Sequence, residues 1–208
     1  MSYAVIAIDN NTKRVLRARL YSTPQSGEIG VEELPTGNIN DYLYENGRYI
    51  YCPDEVTTKE MLQQKKEEKL SEVSAMCQQT IYKGIDIDLS DGSYHFSLTE
   101  NDQTNIDGIF NAIILGASEY PYHADGEPCT MFSAEDITKL YVSVKTFVTQ
   151  ETTYNNMLRQ WIKRETDINT LNAITYGSEL PEDLKTQMNN ILVSASTQVQ
   201  SIISKIQS

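Results

Sequence analysis

A long apolar stripe with a helical period, between residues 133 and 162, is the feature that most constrains the fold of this chain. Ser133 followed by Asp136 predicts the start of a helix, because a serine side chain caps the backbone amide three residues later. A helix of about thirty residues is roughly 45 Å long, so it can act as a scaffold. The stripe consists of Ile137, Leu140, Tyr141, Val144, Phe147, Val148, Tyr154, Leu158, Trp161 and Ile162, which keep the spacing of one helix face.

Residues 1–53 predict a small antiparallel β unit. The apolar run YAVIAI, the turn residues NNTK and the alternating run VLRARLY predict a first hairpin. The next segment, TPQSGEIGVEELPTGN, predicts a loop because it is rich in Gly and Pro. Within DYLYENGRYIY, the pair Asn46-Gly47 predicts a second hairpin, because both central positions of a type I′ turn need a positive φ.

The remaining residues predict helices with one further hairpin. Residues 54–82 form a connecting helix, residues 83–177 form a helical body with that β-hairpin, and residues 178–208 form a long C-terminal helix. The predicted fold class is therefore α+β, with a small N-terminal antiparallel β unit followed by a mainly helical body.

Local signals support these boundaries. Thr57 and Glu60 form a capping box at the start of the connecting helix, and Gly84 ends that helix. The segments IDIDL and SYHFSL then alternate on either side of Asp91-Gly92, which predicts the hairpin of the helical body.

The C-terminal helix carries a second periodic stripe, which no Gly or Pro interrupts. Its apolar residues alternate four and three positions apart, which is nearly the spacing of a coiled-coil seam. The stripe consists of Leu184, Met188, Ile191, Ala195, Val199, Ile202 and Ile206. We expect a protein interface here, either with the helical body or with a symmetry-related copy. Its expected residues are Leu184, Met188, Ile191, Val199 and Ile202.

Composition excludes several classes of partner. The net charge is -12, with 29 acidic against 17 basic residues, and no stretch concentrates Lys or Arg, so we expect no nucleic-acid partner. No run approaches the roughly 18 apolar residues of a membrane span. The opening residues, MSYAVIAIDNNTKR, predict no secretory signal. Cys52, Cys77 and Cys129 fit neither a disulfide framework nor a metal knuckle, which indicates synthesis in a reducing cytoplasm.

The segment YPYHADGEPCTMF, residues 120–132, is the strongest candidate for reactive chemistry. His123 and Cys129, with Asp125 or Glu127, supply ligand types that zinc uses, but their spacing matches no known zinc knuckle. Cys129 precedes a helix start, where a thiolate is stabilised, yet the acidic neighbours raise a thiol pKa. We therefore predict no catalytic residue, no metal and no cofactor.

A rigid structural corner is the preferred interpretation of the same segment. Pro121 and Pro128 stiffen it, and Asp125-Gly126 makes its turn. The residues assigned to this corner are Tyr122, His123, Asp125, Gly126 and Cys129. The aromatic and apolar residues expected to pack it onto the core are Tyr120, Tyr122, Met131 and Phe132.

Acidic residues elsewhere in the chain do not form a recognisable site. Asp86, Asp88 and Asp91 suggest a calcium loop, but the order of an EF-hand fails because Gly92 is one position late. Ser97 also stands where the bidentate glutamate should be. A carboxylate pair for glycoside hydrolysis needs two acids on either side of a cleft, and nothing singles out such a pair.

Four tyrosines, Tyr42, Tyr44, Tyr49 and Tyr51, lie two positions apart on the strands that flank Asn46-Gly47, so they are predicted to share one face. Cross-strand packing within the β unit, contact with another protein and stacking against a sugar all use such a face. The three interpretations remain open at this point.

Three motifs follow one another in the helical body. They are the helix end EVSAMCQQTIYKG, the hairpin segment IDIDLSDGSYHFSLTENDQTNI, and YPYHADGEPCTMFSAEDI before the long helix through YNNMLRQWI. Over roughly residues 65–165, this order resembles a domain of unknown function that recurs in prophage tail-region proteins of Gram-positive bacteria. The resemblance implies a component of a phage tail, baseplate or fibre, located in the virion and synthesised in the host bacterial cytoplasm.

The expected function is therefore structural. We expect an adaptor of a tailed-phage tail tip, baseplate or fibre that is not an enzyme and that acts by contacts with other tail or baseplate proteins, with homo-oligomerisation left open. Three alternatives remain: a carbohydrate-binding receptor module that uses the tyrosine face, a tail assembly chaperone, and an enzyme. The enzyme is either a wall hydrolase with a carboxylate pair or a metal enzyme that uses His123 and Cys129.

Overall fold

A computed structural model of the chain describes residues 4–53 and 55–206. Within these ranges, the side chains that lie outside the description are those of residues 55–58, 202, 205 and 206.

The architecture is α+β, which confirms the predicted class. The chain divides into two compact units, Met1–Gln64 and Lys65–Ser208. Each unit has an apolar core of its own.

The N-terminal unit contains two antiparallel sheets. Its strands are β1 Ala4–Ile8, β2 Val15–Leu20, β3 Glu28–Val31, β4 Tyr42–Glu45 and β5 Arg48–Tyr51, and a short 3-10 helix covers Ile39–Asp41. The first three strands form a sheet in the order β2-β1-β3, and β4 pairs with β5. Both predicted hairpins are confirmed.

The turns of the two hairpins are determined locally. Asn46 and Gly47 have φ values of +50° and +78°, as a type I′ turn requires. In the first hairpin, Oδ1 of Asp9 accepts hydrogen bonds from the backbone amides of Thr12 at 2.7 Å and Asn11 at 3.0 Å. These bonds, that from Thr12 above all, lower the pKa of the Asp9 carboxyl.

Strand β3 lies within a segment predicted to be a loop, so that prediction is wrong for Glu28–Val31. Ile29 pairs with Ile6, and Val31 pairs with Ala4. All four side chains belong to the core of the unit or pack against it. Four residues that include a glycine carry a weak strand signal, and it is pairing with β1 that makes them a strand.

A register irregularity in β2 decides which of its side chains are buried. Ala7 pairs with Arg17, but the next residue of β1, Ile8, pairs with Val15 and leaves Leu16 without a partner. Val15 therefore turns to the core and is fully buried, whereas Leu16 is exposed. Simple alternation along the sequence predicts that Val15 and Arg17 lie on the same face of the strand. One unpaired residue is enough to move Val15 to the opposite face.

The C-terminal unit is a helical body with two β-hairpins, β6 with β7 and β8 with β9. From the helix that leads into it, the elements are α1 Glu55–Lys83, β6 Ile85–Asp88, β7 Ser93–Phe96, α2 Glu100–Ile114, β8 Glu119–Tyr122, β9 Thr130–Ser133, α3 Ala134–Arg164, α4 Ile168–Ala173 and α5 Glu182–Ile206. The predicted hairpin is β6–β7, and the predicted long helix is α3. The predicted cap Thr57 of α1 lies outside the described side chains.

The segment predicted as a corner is a β-hairpin. Tyr120 pairs with Phe132, and Pro121 pairs with Met131 on the opposite face. Phe132 is buried, but Met131 is 55% exposed and Tyr120 is 39% exposed. The prediction that all of these side chains pack onto the core is therefore wrong for Tyr120 and Met131. Alternation along a strand explains Met131, because neighbouring side chains point to opposite faces.

Helix α3 supplies the central part of the core. Its residues Ile137, Leu140 and Val144 are buried against the hairpins and α2. Phe110 of α2 stacks on Tyr141 with ring centroids 3.7 Å apart. Each such aliphatic or aromatic side chain contributes about 1.5–3 kcal/mol when it leaves water, so α3 holds the layers of this unit together.

Gly84, between α1 and β6, occupies a position that a side chain cannot share. It has a φ of +84°, and its amide donates to the carbonyl of Ile81 at 3.0 Å. A Cβ at this position would lie 1.9 Å from the backbone oxygen of Phe96. The close approach of β7 to the end of α1 therefore depends on glycine.

The substitution Gly84→Ala is expected to lower the free energy of unfolding by about 3 kcal/mol or more, because β7 has to move to accept the new methyl group. Gly116→Ala is the matched control. Gly116 has a φ of +102° but no atom within 4 Å of its Cβ position, so only the left-handed cost of about 1–2 kcal/mol applies. Urea denaturation measures both variants, and equal losses would contradict the steric explanation.

Candidate functional site

The turn of the β8–β9 hairpin is tied to the end of β7 through Asp125. The Asp125 amide donates to the carbonyl of His95 at 3.0 Å. The Asp125 carboxylate accepts from the amide of Ser97 at 2.9 Å and also from the Ser97 hydroxyl. Gly126 follows with a φ of +77°, which reverses the chain. Asp125 and Gly126 therefore hold the hairpin in place.

His123 and Cys129, the candidates for metal or nucleophile chemistry, are both exposed. The His123 ring stacks on Tyr122 with centroids 5.5 Å apart, and Cys129 has a free thiol. Burial, followed by the nearby acids, raises the pKa of Tyr122 to about 12, so its hydroxyl stays neutral. Among the side chains that the structure describes, no three of His, Cys, Asp or Glu type are grouped so that they could hold a metal ion.

His95, the other histidine of the chain, joins the end of α1 to the β6–β7 hairpin. Its Nδ1 lies 2.7 Å from Oδ1 of Asp86, and its Nε2 lies 2.8 Å from the carbonyl of Lys83. Both neighbours are acceptors, so the ring satisfies both only when both nitrogens carry protons. The bond with Asp86, and then that with the Lys83 carbonyl, raises the pKa of His95. The final carbonyls of a helix also favour a cation.

The sequence predicts Asp136 only as part of a helix-capping pattern, but in the structure its carboxylate also joins two elements. Its buried carboxylate accepts from the Ser90 amide at 2.9 Å, the Ser90 hydroxyl at 2.7 Å and the Ser133 hydroxyl at 2.8 Å. Burial by itself raises the pKa of the Asp136 carboxyl, but these hydrogen bonds outweigh it and the net pKa is lowered. One carboxylate thus fastens the β6–β7 turn to the first turn of α3.

A second polar cluster, around Glu151 of α3, is also structural. The Tyr176 hydroxyl donates to Oε2 of Glu151 at 2.5 Å, and the Cys77 thiol donates to the Glu151 carbonyl at 3.6 Å. The Tyr154 ring meets the Tyr176 ring edge-on at 5.3 Å. Burial raises the pKa of the Cys77 thiol, which keeps it protonated and a poor nucleophile.

The four tyrosines of the β4–β5 hairpin share one face, as predicted. Tyr42 pairs with Tyr51, and Tyr44 pairs with Tyr49. Their ring centroids lie 5.2 Å apart in the first pair and 4.9 Å apart in the second. Such distances are those of interacting aromatic pairs, so cross-strand packing accounts for the arrangement.

Most of this tyrosine face is used within its own unit. The Tyr42 hydroxyl donates to the carbonyl of Thr36 at 2.8 Å, and the Tyr49 hydroxyl donates to that of Glu33 at 3.3 Å. Both rings also pack against the core of the sheet. Tyr51 is 48% exposed, and it is the ring that retains the largest free surface.

Helix α5 packs with most of the predicted seam, but Ile191 does not lie on the packed side. Leu184 is 3% exposed and therefore belongs to the core of its own unit. Ile191 is 41% exposed, while the next residue, Leu192, is half-buried. The steps of four from Leu184 through Met188 to Leu192 follow a straight helix of 3.6 residues per turn, and Leu192 takes the place assigned to Ile191.

Helices α3 and α5 are antiparallel neighbours. Arg164 at the end of α3 forms a two-pronged ion pair with Asp183 at the start of α5, with an Nη2 to Oδ1 distance of 2.9 Å. Its hydrogen bonds lower the pKa of Asp183 to about 2. At the other end, Val142 of α3 and Ile203 of α5 line one groove. None of the described helices, α5 included, has the length and apolar content that a membrane crossing needs.

A second groove between α3 and α5 contains part of the predicted interface. Val199 lines it together with Val193 of α5 and with Thr146 and Gln150 of α3. Val193 is 66% exposed, although no signal in the seam pattern points to it. Ile202, the last residue of the predicted interface, lies outside the described side chains. In this groove, the predicted seam lies next to an apolar side chain that faces solvent, that of Val193.

Residues 64–176 match the family model described as "Domain of unknown function (DUF4376)". The match runs from within the first half of α1 through the two hairpins and α3 to three residues beyond α4. It agrees with the predicted domain of unknown function at about residues 65–165. No curated protein and no solved structure matches the chain. The match itself carries no biochemical activity.

The raised pKa of His95 predicts a stability contribution that is complete below its ordinary pKa of 6.5 and is lost as the pH rises through the folded value. Urea unfolding of the wild type at about pH 5.5 and about pH 8.5 measures the loss. The variant His95→Asn cannot titrate in this interval and should change less. The same change in both proteins would assign the pH dependence to other groups.

Replacing Asp136 tests the second anchor. Asp136→Ala is expected to lower the free energy of unfolding by about 3 kcal/mol, because two donors of Ser90 and one of Ser133 lose their acceptor. Glu135→Ala, in the same helix turn but on the exposed side, should cost under about 1 kcal/mol. Chemical denaturation at neutral pH compares them, and similar losses would mean that Asp136 acts only through its charge near the helix start.

Proposed function

We propose, on the premise that the chain belongs to the family described as "Domain of unknown function (DUF4376)", that it is a structural adaptor of a tailed-bacteriophage particle. It acts by contact with other tail or baseplate proteins in the tail tip, baseplate or fibre, and it performs no catalysis. It is made in the cytoplasm of the host bacterium and ends in the virion. The resemblance of residues 65–165 to prophage tail-region proteins supports this setting.

The observation that supports an adaptor role is a contrast between the polar groups of the protein and the solvent-facing surface of α3 and α5. The buried carboxylate of Asp136 and the half-buried Tyr176–Glu151 pair are engaged in hydrogen bonds that join elements. The surface along α3 and α5, in contrast, presents apolar side chains such as Val193 to solvent. Surfaces of this kind are typical of proteins that bind other proteins.

A receptor module that binds carbohydrate draws less support from the same structure. Sugar stacking needs the flat faces of exposed rings, whereas Tyr42, Tyr44 and Tyr49 pack against the core of their sheet. Tyr51 is left as a single half-exposed ring. An assembly chaperone remains the nearer alternative, because it too works through protein contacts but does not stay in the particle.

The composition of purified particles tests the proposal. In a lysogen that carries this coding sequence, we expect mass spectrometry of induced, gradient-purified particles to detect the chain in a fixed ratio to a major tail protein. Cross-linking before digestion should join it to tail or baseplate proteins. Deletion of the coding sequence should reduce infectious titre by at least about tenfold, and the wild-type chain supplied in trans should restore it.

The two main alternatives give different results in the same experiment. A chain that is needed for titre but absent from particles is an assembly chaperone. A chain that is absent from particles and dispensable for their formation is not a tail component, and that result would refute the proposal.

A further inference from the structure

The C-terminal helix contains a long stretch without charge. Residues 186–204 of α5 include no Asp, Glu, Lys, Arg or His, in a chain of which 22% of the residues are charged. Exposed helices of ordinary proteins carry charged side chains on their solvent face. The side chains that face solvent in this stretch are instead Ser, Thr, Asn, Gln, Ile and Val.

Packing on α3 does not account for the uncharged outer face. The side that meets α3 uses Met188, Leu192 and Val199, which are half-buried. Val193, at the edge of the groove, and Thr197, farther around the helix, lie outside this packed side and are exposed. A helix that needed only one apolar side would tolerate charge at Val193 and Thr197.

The neighbouring part of α3 also presents uncharged side chains to this groove. Thr146 and Gln150 are exposed and line the groove beside Val193 and Ser196. Lys145, which also borders this groove, is paired with Asp107 of α2, with Nζ 2.7 Å from Oδ1. The uncharged surface therefore spans two adjacent helices, and the charged residue that borders its groove is ion-paired.

We propose that this surface, the groove side of α3 and α5 around Val193, binds a second copy of the same chain about a two-fold axis. The proposal rests on the adaptor function and names one of its partners. Two antiparallel helix pairs brought together in this way form a four-helix arrangement. Val193 projects beside a groove on the same surface, and a two-fold axis places each projecting side chain against the groove of the other copy.

Charge explains why a second copy is the partner that fits. Each chain has a net charge of -12, so two copies repel wherever their acidic surfaces meet. The surface around Val193 allows them to approach without like charges in contact. Hydroxyl and amide side chains carry both donors and acceptors, so they can bond to identical groups across a two-fold axis.

Other partners would need chemistry that this surface lacks. A helix that lies on a lipid surface carries Lys or Arg on its polar face, and residues 186–204 carry neither. A basic protein partner would be recognised by acidic side chains, which are also absent from this stretch. The contact is narrow, because residues 186–204 extend only about 28 Å. An interface at the small end of the range predicts a dimer in the micromolar range.

Sedimentation velocity of the full chain over a range of concentrations tests the proposal. We expect the wild type to show a reversible monomer–dimer equilibrium. Val193→Glu and Val193→Lys should each weaken the dimer by at least about tenfold, because a charge buried at the contact opposes association whatever its sign. Both variants should fold, since Val193 is 66% exposed and both new residues are better helix formers than valine.

Gln187→Glu is the matched control. Gln187 is exposed on the same uncharged helix but lies about 120° around it from Val193, so this variant should keep the dimer. It changes the net charge as Val193→Glu does, and it therefore removes general repulsion as an explanation. Circular dichroism of all variants verifies the helix content.

Several results would overturn the proposal. A wild type that stays monomeric up to its solubility limit excludes the dimer, and if Val193→Glu then reduces incorporation into particles, the surface binds another tail protein instead. If Val193→Glu loses association but Val193→Lys does not, the loss is caused by net charge. The same holds if Gln187→Glu loses association as much as Val193→Glu does. The adaptor function is judged separately, because a chain absent from particles could still dimerise through this surface.

Discussion

The buried carboxylate of Asp136 is the interaction on which the arrangement of the C-terminal unit most depends. It accepts three hydrogen bonds, two from Ser90 in the β6–β7 turn and one from Ser133 at the start of α3. A buried carboxylate without such donors is strongly unfavourable, so the turn and the helix must meet in one orientation. That orientation brings Leu140 and Val144 of α3 onto the apolar core. The antiparallel partner α5 then follows from the direction of α3.

Polar side chains of the two hairpins that carry the histidines are also used to join elements. Asp125 is bound to Ser97, and His95 is bound to Asp86 and Lys83. These residue types often take part in catalysis, but each is engaged here in joining one element to another. Polar groups that are satisfied internally make rigid supports. The uncharged surface of α3 and α5 is the feature on which the proposed protein contacts rest.

Much of the fold could be predicted because its signals are local. The Asn46-Gly47 turn needs only its own positive φ values, and the Ser133 cap needs only the amide three residues ahead. Strand β3 and the register of β2 could not be predicted in this way. Their backbone hydrogen bonds go to β1, and pairing with a distant strand outweighs a weak local preference. The candidate site was predictable only in part, since the periodic stripe located α5 but not the surface around Val193.

By itself, the sequence determined the α+β class, the long helix α3, the hairpin turns and the uncharged character of α5, because composition and local spacing are sufficient for these. Only the tertiary structure decided which side of α5 is covered. Leu192 packs on α3 while Ile191 stays 41% exposed, and both choices satisfy a seven-residue apolar pattern. The contact with α3 decides whether Ile191 or Leu192 is covered. An apolar pattern with alternating steps of four and three does not stay on one side of a straight helix, because that helix has 3.6 residues per turn.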